Sequence, residues 1–311
     1  MAMFTIVEVR EESADLPEQL GTKFKFWFRN VSGDKCLFKE GRPNTGENWA
    51  EKVAAELCSL LGLPAATYEL GKFKDKRGVI TPTFVPRNGR LILGNELLAK
   101  ILRDYDENKR YRVREYKLRT VLIVLSTKSV NPPIGFQKFE GVESAVDVFV
   151  GYLMLDALIA NQDRHHENWG LILTANRDVH LTPTYDHASS LGRNELDATR
   201  LEMLTTKDIG RSIQRYVERA ASAFYPLSPA ESNGRVKTLS TLDAFLESAH
   251  LRPAAARAWM NRLNAITVEQ MRSVFAQFPP GEISQVAMNF SLQMLKLNKA
   301  RLLSSIENLK L

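Results

Sequence analysis

The sequence predicts an α+β fold in two lobes, with a small strand-rich lobe over residues 1–88 and a larger, mainly helical lobe over residues 89–311. Apolar and polar residues alternate with period two at 24–29 and again at 35–39, which is typical of half-buried strands joined by a hairpin. Helical patterns dominate the second half of the chain. The hinge between the lobes is predicted at Pro-Arg-Asn-Gly, residues 86–89, because these residue types favour turns.

One helix is predicted within the first lobe, over residues 47–61. Asn44 or Thr45 could cap its start, and Gly62 should end it, since glycine adopts the left-handed conformation that terminates helices. Its side chains repeat at helical spacing, so one face should lie against the sheet. The apolar stripe on that face is formed by Trp49, Val53, Leu57 and Leu60.

Two more strand pairs and a buried helix are expected. Residues 66–70 and 79–85 should form a hairpin, and residues 171–173 and 180–181 should flank a turn in the second lobe. Residues 146–160 are apolar nearly all round, which predicts a central buried helix. This segment is too short and contains too many aspartates to span a bilayer. Further helices are predicted over residues 239–249, 253–266, 268–278 and 283–309.

The composition is typical of a globular cytoplasmic protein. The two cysteines, Cys36 and Cys58, are expected to be reduced, partly buried thiols rather than a disulfide. The start of the chain becomes charged within a few residues, so no signal peptide is expected. The net charge of +6 is moderate, but basic residues cluster at 72–77 and 109–119. These runs are either solvated loops or a patch that attracts an acidic protein, a nucleic-acid-bearing partner or an anionic membrane surface.

The residues after the central helix carry the strongest chemical signal. Asp163 and Asn168 lie five residues apart, and Asp186 follows in a second loop. Phosphoryl transfer requires a carboxylate beside the attacking hydroxyl, and an amide plus a second carboxylate that hold Mg²⁺ against the triphosphate. Protein kinases use the same spacing. The sequence therefore predicts Asp163 as the catalytic base and Asn168 and Asp186 as metal ligands.

Two other classes of function compete with this interpretation. Four of the five histidines fall in one segment, which raises the hypothesis of a metal-dependent hydrolase. Zinc sites favour His-x-x-x-His spacing or pairs of cysteines, and neither pattern occurs here. A catalytically idle nucleotide-binding module is the second alternative, and the retention of all three loop residues counts against it. The clustered histidines are His165, His166, His180 and His187.

Lys39 ends the second predicted strand and could neutralise phosphate charge. Kinases hold such a lysine with a glutamate from the following helix, and two glutamates compete for this role. A helical wheel places Glu56 within the apolar stripe that faces the sheet and Glu51 on nearly the opposite side. The wheel alone therefore favours Glu56.

The order Asp163-Arg-His-x-x-Asn168, followed by Asp186-His-Ala, resembles the HipA-like serine/threonine kinases and, more distantly, the phosphatidylinositol 3- and 4-kinases. The resemblance covers most of residues 20–195. It implies a two-lobed protein-kinase-like fold that binds ATP and Mg²⁺ in the cleft between the lobes.

The resemblance also implies further site residues. Counting back from Leu-Gly-Leu at the end of the predicted helix, it favours Glu51 as the partner of Lys39. It places a phosphate loop at Gly21, Thr22 and Lys23, where backbone amides of a glycine-containing turn can cradle phosphate.

The activity that the resemblance implies is transfer of the γ-phosphate of ATP to a serine or threonine of a protein. Autophosphorylation is expected in the loop before Lys23, in which Ser13 is the only serine. A phosphoinositide lipid is the alternative acceptor. Such families include toxins of toxin–antitoxin pairs, and the chain begins almost at its first kinase strand, as in shorter members. A separate antitoxin or amino-terminal subdomain protein is therefore an expected partner, with nucleic acid contacted only through it.

Overall fold

The computed structural model describes residues 2–17, 23–227, 231–232 and 235–308. A mixed six-stranded sheet forms the first lobe. Its strands are β1 (Ile6–Glu8), β2 (Ala14–Pro17), β3 (Lys25–Arg29), β4 (Lys35–Glu40), β5 (Glu69–Phe73) and β6 (Lys76–Pro82). Their order across the sheet is β1-β5-β6-β4-β3-β2. β1 runs parallel to β5, and the other neighbours are antiparallel.

The two predicted hairpins of the first lobe are present. β3 pairs with β4, and the alternation in β3 buries Phe26 and Phe28 on one face, where they pack with Phe38 and Phe73. The second hairpin begins at Glu69 and not at residue 66, because Ala65 and Ala66 make a backbone bridge to Thr184 in the second lobe.

Helix α1 (Glu47–Leu61) has the predicted bounds, but its cap differs. Gly46 is the capping residue, while the Thr45 hydroxyl donates to the carbonyl of Arg42 in the preceding turn. A side chain at Gly46 would collide with the Trp49 ring, so tertiary packing selects glycine there. Gly62 ends the helix in the left-handed conformation, with φ of 67°.

The second lobe is mainly helical, with a small sheet near the hinge. Its helices are α2 (Gly94–Ile101), α3 (Leu118–Leu125), α4 (Ala145–Ile159), α5 (Asp197–Thr205), α6 (Ile213–Glu218), α7 (Thr241–Leu251), α8 (Pro253–Ala265), α9 (Val268–Phe275) and α10 (Gln285–Asn308). Its strands are β7 (Arg90–Leu93), β8 (Val130–Asn131), β9 (Gly170–Leu173) and β10 (Val179–Leu181), in the order β7-β9-β10-β8, with a short hairpin of β11 (Glu231–Ser232) and β12 (Arg235–Val236).

Helix α4 is the centre of the second lobe. All of its residues are buried, as its apolar sequence predicts, and it packs against α3, α7, α8 and α10. At its start Asp147 accepts hydrogen bonds from the backbone and hydroxyl of Ser144 and pairs with Arg252 at 2.6 Å. This rigid support delivers the chain directly into the Asp163 loop.

The four predicted tail helices correspond to α7–α10 with small shifts of their ends. The short helices α2, α3, α5 and α6 and the strands β1, β2, β7, β8, β11 and β12 were not predicted individually; α5 and α6 become stable by packing on α10. Cys36 and Cys58 are free, buried thiols, as expected. Within the described ranges, no helix is both long and apolar enough to cross a bilayer.

The lobes meet in more places than the hinge. The chain passes from β6 to β7 through residues 83–89, and α1 also packs against α8 and α9 of the second lobe. The backbone N–H of Phe4 donates to the carbonyl of Gln277, and its ring meets that of Phe278. Helix α1 therefore contacts both lobes, and the boundary between two domains at residues 88 and 89 stays a prediction.

Candidate active site

A cleft of about 750 Å³ lies between the six-stranded sheet and the second lobe. Cationic side chains dominate its sheet side, and carboxylates dominate the opposite side. A cationic wall suits a polyanionic ligand. The sheet side carries Lys23, Lys25, Lys35, Lys39 and Arg42; the second lobe carries Asp163, Glu167, Asp186 and Glu195, together with Arg110 and Arg193.

Lys39 is the electrostatic centre of the cleft. Its ammonium group contacts the Asp186 carboxylate and lies 3.7 Å from Oε2 of Glu51. Burial alone would lower the pKa of Lys39, but the two carboxylates outweigh it and raise the pKa above its usual value. Burial would likewise raise the pKa of Asp186, yet the neighbouring Lys39 holds it well below its usual range. Both groups are therefore charged at neutral pH.

The partner of Lys39 is Glu51 and not Glu56. Glu51 is fully buried, and its Oε1 accepts the backbone N–H of His187 at 2.6 Å. Glu56 instead pairs with Lys52 on its own helix, at 2.9 Å. The helical wheel was wrong because α1 is buried on more than one face: it packs against β5 and β6 of the sheet and against α8 and α9 of the second lobe, and Glu51 contacts both Lys39 of the sheet and the His187 backbone of the second lobe.

Arg164 shapes the loop that carries Asp163. Its guanidinium group is buried and donates two hydrogen bonds of 2.8 Å to the carboxylate of Asp156 on α4. A third donor reaches the carbonyl of Asn168 at 2.9 Å. Bidentate pairs of this kind fix geometry as well as charge. The arginine of the motif is therefore structural, since it ties both ends of the loop to the central helix.

Asp163 and Asn168 are held against each other. The Asn168 amide nitrogen donates to the backbone carbonyl of Asp163 at 2.7 Å, which orients its side-chain oxygen for another ligand. The hydroxyl of Ser189 donates to Oδ2 of Asp163 at 3.1 Å. Burial, followed by the nearby charge of Asp186, raises the pKa of the Asp163 carboxyl.

Asp186 lies at a turn with backbone strain. Its φ of 57° is in the left-handed region, which aspartate enters more readily than most residues. The Asp186 backbone N–H donates to the hydroxyl of Tyr68, and the next N–H, that of His187, is held by Glu51. The strained turn thus aims the carboxylate into the cleft beside Lys39.

The clustered histidines are engaged by the protein. The Nδ1 atom of His166 lies 2.6 Å from the Tyr105 hydroxyl, and Nε2 of His187 lies 2.7 Å from that of Thr184. His165 accepts the backbone N–H of Glu167. In the part of the chain that the structure describes, no group of three or more His, Cys, Asp or Glu side chains could hold a metal ion.

The predicted phosphate loop can be assessed at one position. Gly21 and Thr22, with residues 18–20 of the preceding loop, lie outside the described residues. Lys23 is described: it lines the cleft, and its ammonium group lies 2.8 Å from Glu47 at the start of α1.

The structure adds cleft residues that the sequence did not reveal. Ser189 and Arg193 line the cleft: Ser189 donates to Asp163, and Arg193 donates both to Ser189 and to Glu47, which lies behind the lining. No motif or periodicity points to these three residues. The end of β6 and the start of the interlobe connection, residues 81–85, line the cleft ahead of the predicted hinge at 86–89.

Comparison with known proteins agrees with this architecture. The profile of the HipA-like C-terminal domain matches residues 16–270. No curated protein matches the chain significantly. The proinflammatory kinase CtkA of Helicobacter pylori is 20% identical and superimposes with a TM-score of 0.71, covering 98% of this chain and 96% of that one. A chain of the HipA, HipB and operator DNA toxin–antitoxin complex of Shewanella oneidensis MR-1 is 13% identical with a TM-score of 0.57, covering 92% of this chain and 64% of that one. The chain therefore belongs to the HipA-like C-terminal domain family and has a two-lobed, kinase-like fold.

Proposed function

We propose that this protein is a kinase that transfers the γ-phosphate of ATP to a serine or threonine of a protein, with Mg²⁺ as cofactor. One observation carries the proposal: Lys39, paired with both Glu51 and Asp186, faces a loop in which Asp163 and Asn168 are held together. This set holds the charged groups that phosphoryl transfer requires.

The nucleotide would occupy the cleft with its base at the apolar end. That end would be formed by Leu37 of β4, Leu93 of β7 and the stacked rings of Phe84 and Tyr185, all of which line the cleft; the two ring centroids are 5.3 Å apart. Apolar and aromatic walls are typical of sites that bury a planar base. The phosphates would then point toward Lys39 and Lys23, whose ammonium groups neutralise part of their charge.

The donor set beside Lys39 fits Mg²⁺. Asp186 supplies a carboxylate that stays ionised, and Asn168 supplies an amide oxygen oriented by its bond to Asp163. Mg²⁺ prefers such oxygen ligands and takes the rest from phosphates and water. When bound, the ion would neutralise charge on the phosphates.

The transfer step needs one proton acceptor from the protein. Asp163 would accept the proton of the acceptor hydroxyl as that oxygen forms its bond to the γ-phosphorus. The bond from the γ-phosphorus to the bridging oxygen breaks, and ADP leaves with the electron pair. Lys39 neutralises phosphate charge, and Glu51 keeps Lys39 in place.

The partner proposal rests on the family. The matched Shewanella oneidensis chain belongs to a complex with HipB and operator DNA, and by analogy we propose a cytoplasmic toxin–antitoxin role with a separate partner protein that contacts nucleic acid. The analogy is one of fold, so it motivates a search for a partner protein but does not identify that partner or its binding surface.

Incubation with γ-labelled ATP and Mg²⁺ tests the activity. Label on serine or threonine of this protein or of an added protein supports the proposal. Label on inositol lipid would instead establish the lipid-kinase alternative, and binding of ATP without transfer to any acceptor would establish an idle nucleotide-binding module. Mass spectrometry of proteins captured by the Asp163→Asn variant would then identify the acceptor.

A further inference from the structure

A chain of polar contacts runs from Asp163 to the start of α1. The hydroxyl of Ser189 donates to Oδ2 of Asp163 at 3.1 Å. One terminal nitrogen of Arg193 donates to that same hydroxyl oxygen at 2.9 Å, and the other donates to Oε1 of Glu47 at 3.0 Å. The two lobes are thus connected through a path that ends on the candidate base.

The geometry of this chain of contacts can fix the orientation of the Asp163 carboxylate. The fork of a guanidinium group can bridge two fixed acceptors, which a single ammonium group does less well. The Ser189 oxygen receives a hydrogen from Arg193, so its own proton is directed to Oδ2 of Asp163. The other carboxylate oxygen, Oδ1, lies 3.8 Å from Nε2 of His165, beyond normal hydrogen-bond distance.

Glu47 is a firm anchor for Arg193. It is only 2% exposed, and it also accepts from the Lys23 ammonium and from the backbone and side chain of Arg42. A buried carboxylate is tolerated when it is paired and hydrogen-bonded, and its place in the first turn of α1 adds the favourable helix dipole. Arg193 is therefore fixed at one end by the first lobe.

On the basis of the proposed function, we propose that Ser189 and Arg193 are positioning residues for phosphoryl transfer, with Glu47 as their anchor. They hold Oδ2 of Asp163 so that Oδ1 faces the acceptor hydroxyl. In the step itself the acceptor proton passes to Asp163, and neither Ser189 nor Arg193 gains or loses a proton.

Steady-state kinetics separate positioning from general damage. Ser189→Ala and Arg193→Gln should each lower kcat on the order of 10–100-fold, the scale of a small misplacement of a reacting group, while KM for ATP stays within about two-fold. Ser189→Thr keeps the hydroxyl and should restore most of kcat. Arg193→Lys keeps the charge but not the bridging fork, so kcat should stay low. Wild-type kcat in Ser189→Ala, or full rescue by Arg193→Lys, would overturn the proposal.

The Asp163→Asn variant provides the second test. If Ser189 acts through Asp163, Ser189→Ala should cause no further loss of the residual activity in that background. An equal loss in both backgrounds would show that Ser189 acts elsewhere, and phosphate mapped to Ser189 itself would make it an acceptor. Matched controls are Arg211→Gln and Ser273→Ala, whose side chains lie outside the cleft and should leave kcat unchanged.

A stability measurement separates this proposal from the activity. Ser189→Ala and Arg193→Gln share one contact, so their effects on the free energy of unfolding should be non-additive, whatever reaction the protein catalyses. Additive effects would overturn the contact path. Non-additive effects in a wild-type protein that transfers no phosphate would retain the path and refute the proposed function.

Discussion

Asp163 lies where burial opposes the charge that its proposed role requires. The carboxyl group has a raised pKa because it is partly desolvated and faces Asp186, yet it must be ionised to accept a proton. Burial also opposes ionisation of Asp186, but the neighbouring Lys39 ammonium group keeps that carboxylate ionised. Two aspartates in one cleft are thus separated in acidity by their neighbours, which is typical of functional sites.

Asp163→Asn should abolish most transfer without harming the fold. The substitution removes the base and keeps the shape, so kcat should fall by about 10²–10⁴-fold. Since the ionised carboxylate is the disfavoured form in the fold, the melting temperature at neutral pH should be unchanged or higher. ATP affinity, measured by fluorescence titration, should stay near wild type. Phosphorylation at the wild-type rate would remove Asp163 from the mechanism.

The pH dependence of kcat/KM should show the raised pKa of Asp163. The ionised form is active, so activity should fall as the pH is lowered, and the midpoint should lie above 3.8, the ordinary aspartate value. Burial, aided by the charge of Arg110, lowers the pKa of His165 to about 4, so the His165→Asn variant checks whether that ring causes the fall. A fall that persists unchanged in the residual activity of Asp163→Asn would contradict the assignment.

Asp186→Ala should weaken binding of ATP in the presence of Mg²⁺ more than Asp163→Asn does. The proposed reason is that Asp186 is a metal ligand, whereas Asp163 faces the acceptor. Titrations with ATP at fixed Mg²⁺, repeated with chelator, measure the difference. Equal affinities in the two variants would argue against a metal at Asp186. Stoichiometric zinc in elemental analysis of the purified protein would reopen the hydrolase alternative.

At the scale of elements, α1 behaves as a buried helix and not as a surface helix packed on one sheet. It packs against β5 and β6 of the sheet and against α8 and α9 of the second lobe, and both Glu51 and Lys52 are buried. Glycines at both ends fit this packing, because Gly46 lies against Trp49 and Gly62 against Arg262. The helix is held between the lobes by contacts on both sides.

The two glutamates of α1 provide a matched pair of variants. Glu51→Gln removes the buried charge beside Lys39 and the best acceptor for the His187 backbone N–H, so transfer should fall by about 10-fold or more. Glu56→Gln removes a partly exposed carboxylate, while Lys52 keeps its second partner Glu69; because neither Glu56 nor Lys52 contacts Lys39 or the loops that carry Asp163 and Asp186, kinetics should be unchanged. Labelled-phosphate transfer by both variants decides between them; a larger loss for Glu56→Gln would restore the helical-wheel assignment.

At the scale of the whole molecule, the basic run over residues 109–119 divides into two parts. Arg110 contacts Glu167, and the Lys117 ammonium group donates to the carbonyl of Leu227, so these residues support the fold. Lys109 and Arg114 are exposed and form no ion pair with another described residue. If the run docks an acidic or nucleic-acid-bearing partner, the second part is the available one.

Reversal of both charges, Lys109→Glu with Arg114→Glu, should therefore slow phosphorylation of a separate acceptor protein and reduce its dependence on salt. Autophosphorylation should be unchanged, because neither residue lines the cleft. Rates at low and high ionic strength measure both effects. If the two reactions fall together, the run is structural, and docking must be sought on the helices of the second lobe.

The sequence by itself determined the helices and strands whose apolar residues repeat regularly, and it identified the candidate site residues that belong to one short motif. The hairpin of β3 and β4, helices α1 and α4, and the tail helices follow from local patterns. The spacing of Asp163, Asn168 and Asp186 is also local, because two adjoining loops deliver these residues into the cleft.

Only the tertiary structure decided which side chains meet across distant parts of the chain. Glu51, which a wheel places away from the sheet, pairs with Lys39 of β4 and accepts the His187 backbone N–H of the second lobe. Arg193 reaches Glu47 across 146 residues of sequence, and no periodicity records such a contact. Burial on several faces and ion pairs between lobes depend on how the elements pack, so they could not be derived from patterns within a single element.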